Sequence, residues 1–190
     1  VAPCYNEEGN VRLFCEEAGK ILAGYDYEIV FINDGSKDGT LKVLRELYAE
    51  KKEQMTIINF SRNFGKEAGL YAGLQHAKGD YVVIIDTDLQ QPIEVAREMM
   101  DFLEEHPEYD EVAAYQEERK EGKIMTAFKS AFYSMINKLC DVELYKNASD
   151  FRCMRRCVVD AILQMTEYHR FSKGIFAWIG FETYYLSLIH

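Results

Sequence analysis

Short β-branched runs alternating with longer helical patterns predict an α/β fold with a mostly parallel central sheet flanked by helices on both faces. Three observations carry that prediction. Four strand-then-helix units follow one another in the first half of the chain. Four of the strand ends are followed by clusters of polar and charged residues, where open parallel sheets bind ligands. The 190 residues are 48% hydrophobic and 28% charged, a balance that builds a packed core and is too apolar for a disordered chain.

The elements follow in order. Val1 to Cys4 reads as a strand, and Val11 to Ala23 as a helix with Val11, Phe14, Ala18, Ile21 and Leu22 on one side. Tyr27 to Ile32 is a second strand. Ser36 is a candidate N-cap for a helix that runs to about Lys52, with Leu41, Leu44, Leu47 and Tyr48 at core spacing. Thr56 to Phe60 is a third strand, and Lys66 to Ala77 a helix whose Ala68, Gly69, Ala72 and Gly73 permit close packing on a sheet. Asp80 to Ile85 makes a fourth strand, Ile93 to Glu105 an acidic helix stopped before Pro107, and Glu111 to Tyr115 a fifth strand. From Gly122 to Cys140 an apolar stripe interspersed with Lys123, Lys129 and Lys138 fits either a membrane surface or the protein's own core. The run from Thr183 to His190 is strand-like. The chain is read as one domain, 1–190, and its apolar start without a methionine reads as a piece of a longer protein.

Composition excludes several classes. A net charge of -10 argues against a nucleic-acid binder, which needs clustered bases for phosphate neutralisation. The charge is uneven, with ten acids against Arg97 alone from Glu94 to Glu118, then eleven Lys or Arg against six acids from Arg119 to Lys173. The second segment is suited to phosphates or is a solvated face balancing an acidic neighbour. No run nears the roughly 18 apolar residues of a membrane span. Five scattered cysteines, with no zinc spacing, read as reduced cytosolic thiols.

The chemistry lies at the strand ends. After the fourth strand, alternate side chains of an extended segment point the same way, so Asp86, Asp88 and Gln90 present two carboxylates and an amide oxygen to one point. That all-oxygen set suits Mg2+ or Mn2+, which would neutralise the paired carboxylates and the diphosphate of a departing nucleotide. Its plain alternative is a set of helix caps and solvated turn residues. Asp34, after the second strand, is suited to nucleobase or ribose donors, while an Asx-type turn without a ligand fits Asn33-Asp34-Gly35 equally. Arg62 and Lys66, after the third strand, are placed to hold phosphates or form a surface pair beside Glu67. An Asp-x-Asp phosphatase is a weaker reading, since that motif sits near the N-terminus and Gln90 stands where its Thr would be.

Pro3-Cys4-Tyr5-Asn6-Glu7-Glu8, Asn33-Asp34-Gly35-Ser36-Lys37-Asp38-Gly39-Thr40, Ser61-Arg62-Asn63-Phe64-Gly65-Lys66-Glu67 and Asp86-Thr87-Asp88-Leu89-Gln90-Gln91-Pro92 together resemble the family 2 glycosyltransferases of GT-A fold. The nearest likeness is to the polyprenyl-phosphate branch, the dolichol-phosphate mannose synthases and undecaprenyl-phosphate glycosyltransferases. It continues through Asp150-Phe151-Arg152-Cys153-Met154-Arg155-Arg156 and Phe171-Ser172-Lys173-Gly174.

The resemblance implies an inverting transfer of a hexose from a UDP- or GDP-sugar to a polyprenyl phosphate, dependent on Mg2+ or Mn2+. It implies that Pro3, Tyr5, Glu7 and Asp34 hold the nucleobase and ribose, and that Asp86, Asp88 and Gln90 hold the metal. Arg119 and Lys129 fall where that branch keeps cations for the diphosphate or the lipid phosphate, with Arg152 and Lys173 as further acceptor-side candidates. A lipid monophosphate, whose second pKa is about 6, is already charged at neutral pH and needs cations rather than a base. A saccharide hydroxyl acceptor, as in polysaccharide or cell-wall synthesis, would need a base, for which Asp150 is available. A nucleotide-sugar-binding relative without turnover is a third reading. The resemblance also implies work at the cytoplasmic face of a membrane, and it leaves monomer and homo-oligomer open.

Overall fold

The computed structural model describes residues 1–115, 148–165 and 171–188. Arg119, Lys129 and the stripe from Gly122 to Cys140 lie outside the described residues. Three strands, β1 (Ala2–Cys4), β2 (Ile29–Asn33) and β3 (Met55–Asn59), pair in parallel in the order β1-β2-β3. Helix α1 (Val11–Ile21) links the first two, and α2 (Thr40–Glu50) with a short 3-10 turn links the second and third. Helix α3 (Lys66–His76) leads to β4 (Tyr81–Ile84), and α4 (Ile93–Glu105) to β5 (Glu111–Tyr115). Then come β6 (Ala148–Arg155), α5 (Arg156–Gln164), α6 (Ser172–Trp178) and β7 (Thr183–Ser187).

The second group of strands is ordered β4-β6-β5-β7. Val1 joins the two groups, its backbone nitrogen donating to the Val83 carbonyl at 2.7 Å and its carbonyl accepting from the Ile85 N–H at 3.1 Å. That pattern is a parallel pair, so β4 stands beside β1. One feature differs from a run of parallel units: β6 lies between β4 and β5 and is antiparallel to both, with β5 and β7 parallel. The sequence 148–155 hides this strand because it carries Asp150, Arg152 and Arg155 among its apolar residues, and its partners are remote in sequence.

Both faces of the sheet are covered. Phe14, Phe31, Leu44, Leu47, Met99 and Leu103 form one core under α1, α2 and α4. Leu70, Leu74, Ile84, Met154, Val158 and Phe176 form a second under α3, α5 and α6. Helix α3 approaches the sheet closely: a Cβ on Gly73 would sit 2.5 Å from Val1 and 2.7 Å from Ile32 side-chain atoms. Any larger residue there would push α3, and the polar residues at its start, away from the strand ends.

Ser36 is not the cap of the following helix, which begins at Thr40 after Gly39. Its hydroxyl instead lies 2.5 Å from Asn33 Oδ1 and accepts the Asn6 N–H at 2.9 Å. Asp38 takes the helix start, accepting the Thr40 N–H at 3.0 Å and its hydroxyl at 2.5 Å. These bonds, with that of the Glu8 N–H, hold the Asp38 carboxyl below its usual pKa against the opposing effect of desolvation.

Candidate functional site

The carboxyl ends of β1, β2, β3 and β4 converge on a cleft of about 300 Å³ lined by Pro3, Tyr5, Glu7, Asp34, Lys66, Asp86 and Asp88, with Cys4, Asn63, Gly65, Gly69 and Thr87 between them. Seven residues expected from the sequence thus share one cavity. Each wall has a local cause. Asn6, following Tyr5, takes a left-handed conformation (φ 57°), held by the Ser36 hydroxyl and by its own Oδ1, which accepts the Lys37 N–H at 2.8 Å. Glu7 is fixed through its backbone N–H to the Thr40 hydroxyl at 2.8 Å and through Oε2 to the Asn10 amide at 2.7 Å.

Asp34 is buried, and both its oxygens are engaged: Oδ1 accepts the Phe64 N–H at 2.7 Å and Oδ2 the Gly65 N–H at 2.9 Å. Its carboxylate therefore ties the loop after β3 to the end of β2. The neighbouring Gly35 (φ +65°) is required by that tie, since a Cβ there would stand 2.3 Å from the Arg62 carbonyl carbon. Arg62 itself lies outside the lining. Its guanidinium stacks over the Phe64 ring at 4.0 Å and donates to the Asn63 carbonyl at 3.0 Å.

The segment after β4 is not extended. Asp88 Oδ1 accepts the Gln90 N–H at 3.0 Å, an Asx turn, and Leu89 between them is left-handed (φ 58°). The turn, rather than strand alternation, puts Asp86 and Asp88 in the same cavity, and it leaves Gln90 exposed and outside the lining. Thr87 is buried with its hydroxyl on the Pro3 carbonyl at 3.3 Å, anchoring the turn to β1.

Lys66 bridges two carboxylates. Its ammonium is 2.8 Å from Asp86 Oδ2 and 3.1 Å from Asp150 Oδ2, joining the β4 end to β6. Burial works to lower its pKa, but the hydrogen bond and charge of Asp86 and then Asp150 outweigh this and raise it above the ordinary lysine value. Cys4, also in the lining, has its thiol pushed up to about 12 by burial and nearby carboxylates, so it is no nucleophile near neutral pH.

Arg152 is not at the cleft surface. It is 3% exposed and donates to both oxygens of buried Glu111 at 3.3 and 3.2 Å, with a third bond to the Ser149 carbonyl. Its guanidinium carbon sits 3.5 Å from the centre of the Phe176 ring. Desolvation lowers its pKa, with Glu111 and then Asp150 opposing. Lys173 is the second residue of α6. Glu67, which the sequence offers only as a neighbour of Lys66, accepts the backbone N–H of Ser172 at 3.3 and 3.1 Å and also its hydroxyl. Its place directly after Lys66 at a helix start was the available signal.

The sheet covered by helices on both faces, with an Asp-x-Asp turn, a buried Asp and a lysine at its strand ends, agrees with the GT-A fold that the resemblance implied. Among solved structures, the chain superposes on the mannosyltransferase PcManGT from Pyrobaculum calidifontis, in complex with GDP-Man and Mn2+, with a TM-score of 0.65, 16% identity and coverage of 98% of this chain and 53% of that one. The Glycosyl transferase family 2 model matches residues 1–163, and the chain belongs to that family. A Bacillus subtilis (strain 168) protein bearing a glycosyltransferase name, CsbB, is 42% identical over 184 residues, covering 96% of this chain and 55% of the relative. The bactoprenol glucosyl transferase of Shigella phage SfV is 39% identical over 186 residues, covering 96% and 60%. The chain thus spans little more than half the length of these relatives. Among the described residues, no helix is long and apolar enough to cross a membrane.

Proposed function

We propose that the chain is the catalytic part of an inverting hexosyltransferase that moves a sugar from a nucleotide-sugar donor to a polyprenyl phosphate at the cytoplasmic face of a membrane. The observation that carries this reading is the single cleft uniting Asp34, Lys66, Asp86 and Asp88, in a chain 39% identical to a bactoprenol glucosyl transferase. The donor class is supported by the fold shared with a protein crystallised with GDP-Man and Mn2+.

The cleft's donors fit a hard divalent cation. Asp86 and Asp88 supply carboxylate oxygens, Asp86 with one oxygen already on the Lys66 ammonium, and among the described residues of the lining no imidazole and no sulfur but a thiol that stays protonated competes. Those two residues would hold the ion, with Gln90 reaching it only by a change in its exposed side chain. When bound, such a cation neutralises charge on the leaving nucleoside diphosphate. The remaining roles belong to the chain itself. Pro3, Tyr5 and Glu7 wall the base and ribose, while Asp34 keeps the Phe64-Gly65 loop, and so the start of α3, in register. Arg62 lies on the rim of that loop as a donor-side cation. Lys66 delivers a positive charge between Asp86 and Asp150, where phosphate oxygens approach. Arg119 and Lys129 serve the diphosphate or the acceptor phosphate. Asp150, held by Lys66, borders the acceptor side and would serve as base if the acceptor were a saccharide hydroxyl.

Calorimetric titration of UDP- and GDP-sugars with and without Mn2+ tests the donor and metal roles together. Asp88→Ala abolishes the metal-dependent part of binding and leaves the fold intact, because among the described residues its side chain holds a turn N–H rather than a core contact. Unchanged affinity would remove Asp88 from the metal site. Transfer of radiolabelled hexose to undecaprenyl phosphate, against a saccharide control, tests the acceptor.

A further inference from the structure

The first turn of α3 makes two connections at once. Lys66 reaches into the cleft to Asp86 and Asp150, while the next residue, Glu67, turns to α6 and accepts both the N–H and the hydroxyl of Ser172. Ser172 is buried at the head of α6, and Glu67 gives a negative charge to that helix's positive end. The far half of α6 is held differently, by Phe176 beneath the Arg152 guanidinium and by Ile175 in the core under α3 and α5. One helix start therefore fixes both the donor-side cation and the segment carrying Lys173.

We infer that Glu67 is a positioning residue for the acceptor: it pins the first turn of α6, and with it Lys173, beside the turn of α3 that lines the donor cleft, so that the acceptor phosphate is received at a fixed distance from the donor. This rests on the hexosyl transfer proposed above. Glu67 lines no part of the donor cavity, so loosening it separates acceptor handling from donor binding. Gln in its place keeps the size but loses the charge and one of the two acceptor oxygens. Ser172→Ala removes the hydroxyl from the other side of the same contact.

The test uses the complete polypeptide and compares wild type, Glu67→Gln, Ser172→Ala and the double variant. Four quantities are read: donor Kd, acceptor KM, kcat, and hydrogen exchange of the α6 amides. The inference expects donor Kd within twofold of wild type, acceptor KM raised about tenfold in each variant, and faster exchange across Ser172–Trp178. It also expects the double variant to be no worse than the worse single one, because both act on one contact. Faster α6 exchange with unchanged acceptor KM would overturn it, leaving a merely structural cap, as would a parallel loss of donor affinity. Unchanged exchange would overturn it as well. If the wild-type protein used a saccharide rather than the lipid phosphate, the proposed function would fail in that control alone, and the Glu67 comparison would be read on the acceptor actually used.

Discussion

Glu111→Gln probes the buried pair that joins β5 to β6. Arg152 and Glu111 are 3% and 2% exposed, and two guanidinium-to-carboxylate bonds at 3.2 and 3.3 Å link them. The Thr183 hydroxyl adds a bond to the same carboxylate at 2.7 Å. Breaking a buried pair by removing one charge costs about 3–5 kcal/mol, because the other charge stays buried. Gln retains an acceptor worth about 1 kcal/mol, so the net loss is about 2–4 kcal/mol. At 2–4 °C per kcal/mol for a chain of this size, Tm falls by roughly 4–16 °C. That loss is a large part of the roughly 5–15 kcal/mol that keeps a domain folded. Urea unfolding followed by circular dichroism measures it. Glu111→Leu combined with Arg152→Met removes both charges and should return stability to within about 1 kcal/mol of wild type. The reasoning is refuted if Glu111→Gln costs under about 0.5 kcal/mol, or if the double variant is as unstable as the single one. An acceptor KM that survives the double replacement would also remove Arg152 from the acceptor-side candidates.

Asp34→Asn gives up one of two charge-assisted bonds to the loop after β3, at about 1.5–3 kcal/mol, and weakens donor affinity along with stability; unchanged denaturation would show the loop to be held by other contacts. Leu89→Gly relieves a left-handed φ of 58° and, after Gly's extra chain entropy, is neutral to about 1 kcal/mol stabilising; a destabilised variant would mean that the Leu89 side chain supplies packing that outweighs the strain. Lys66 has a raised pKa, so its ion pairs contribute fully below the ordinary lysine value of 10.5 and are lost only as pH climbs through the higher folded value. The stability difference between wild type and Lys66→Met is accordingly flat from about pH 6 to 9 and shrinks above about 10.4; a difference that vanishes near pH 7 would contradict the ion pairs.

Much of this was readable from residues alone. Glu111–Tyr115 and Ile93–Glu105 are where periodicity put them, and the first four strands fall within about two residues of their expected places. The cleft lining was legible because residues after parallel strands share one rim by topology. Three things were not. Strand β6 carries a buried arginine whose partner Glu111 is forty-one positions away, so its charge reads as surface. The turn at Asp88 to Gln90 depends on a side chain bonding its own backbone, which spacing does not reveal. Ser36 was drawn off its helix by Asn6 and Asn33, a competition decided by tertiary approach.

The antiparallel insertion of β6 also sets an order of events during synthesis. Strands β1, β2 and β3 sit within sixty residues of one another and can zip together as soon as they leave the ribosome. Strand β4 can join β1 through Val1 at once, but its other edge waits for β6, where Arg155 pairs with Tyr81, seventy-four positions later. Until then Lys66 faces Asp86 without Asp150. A nascent chain halted before β6 would thus carry an open edge and half of its charged cluster.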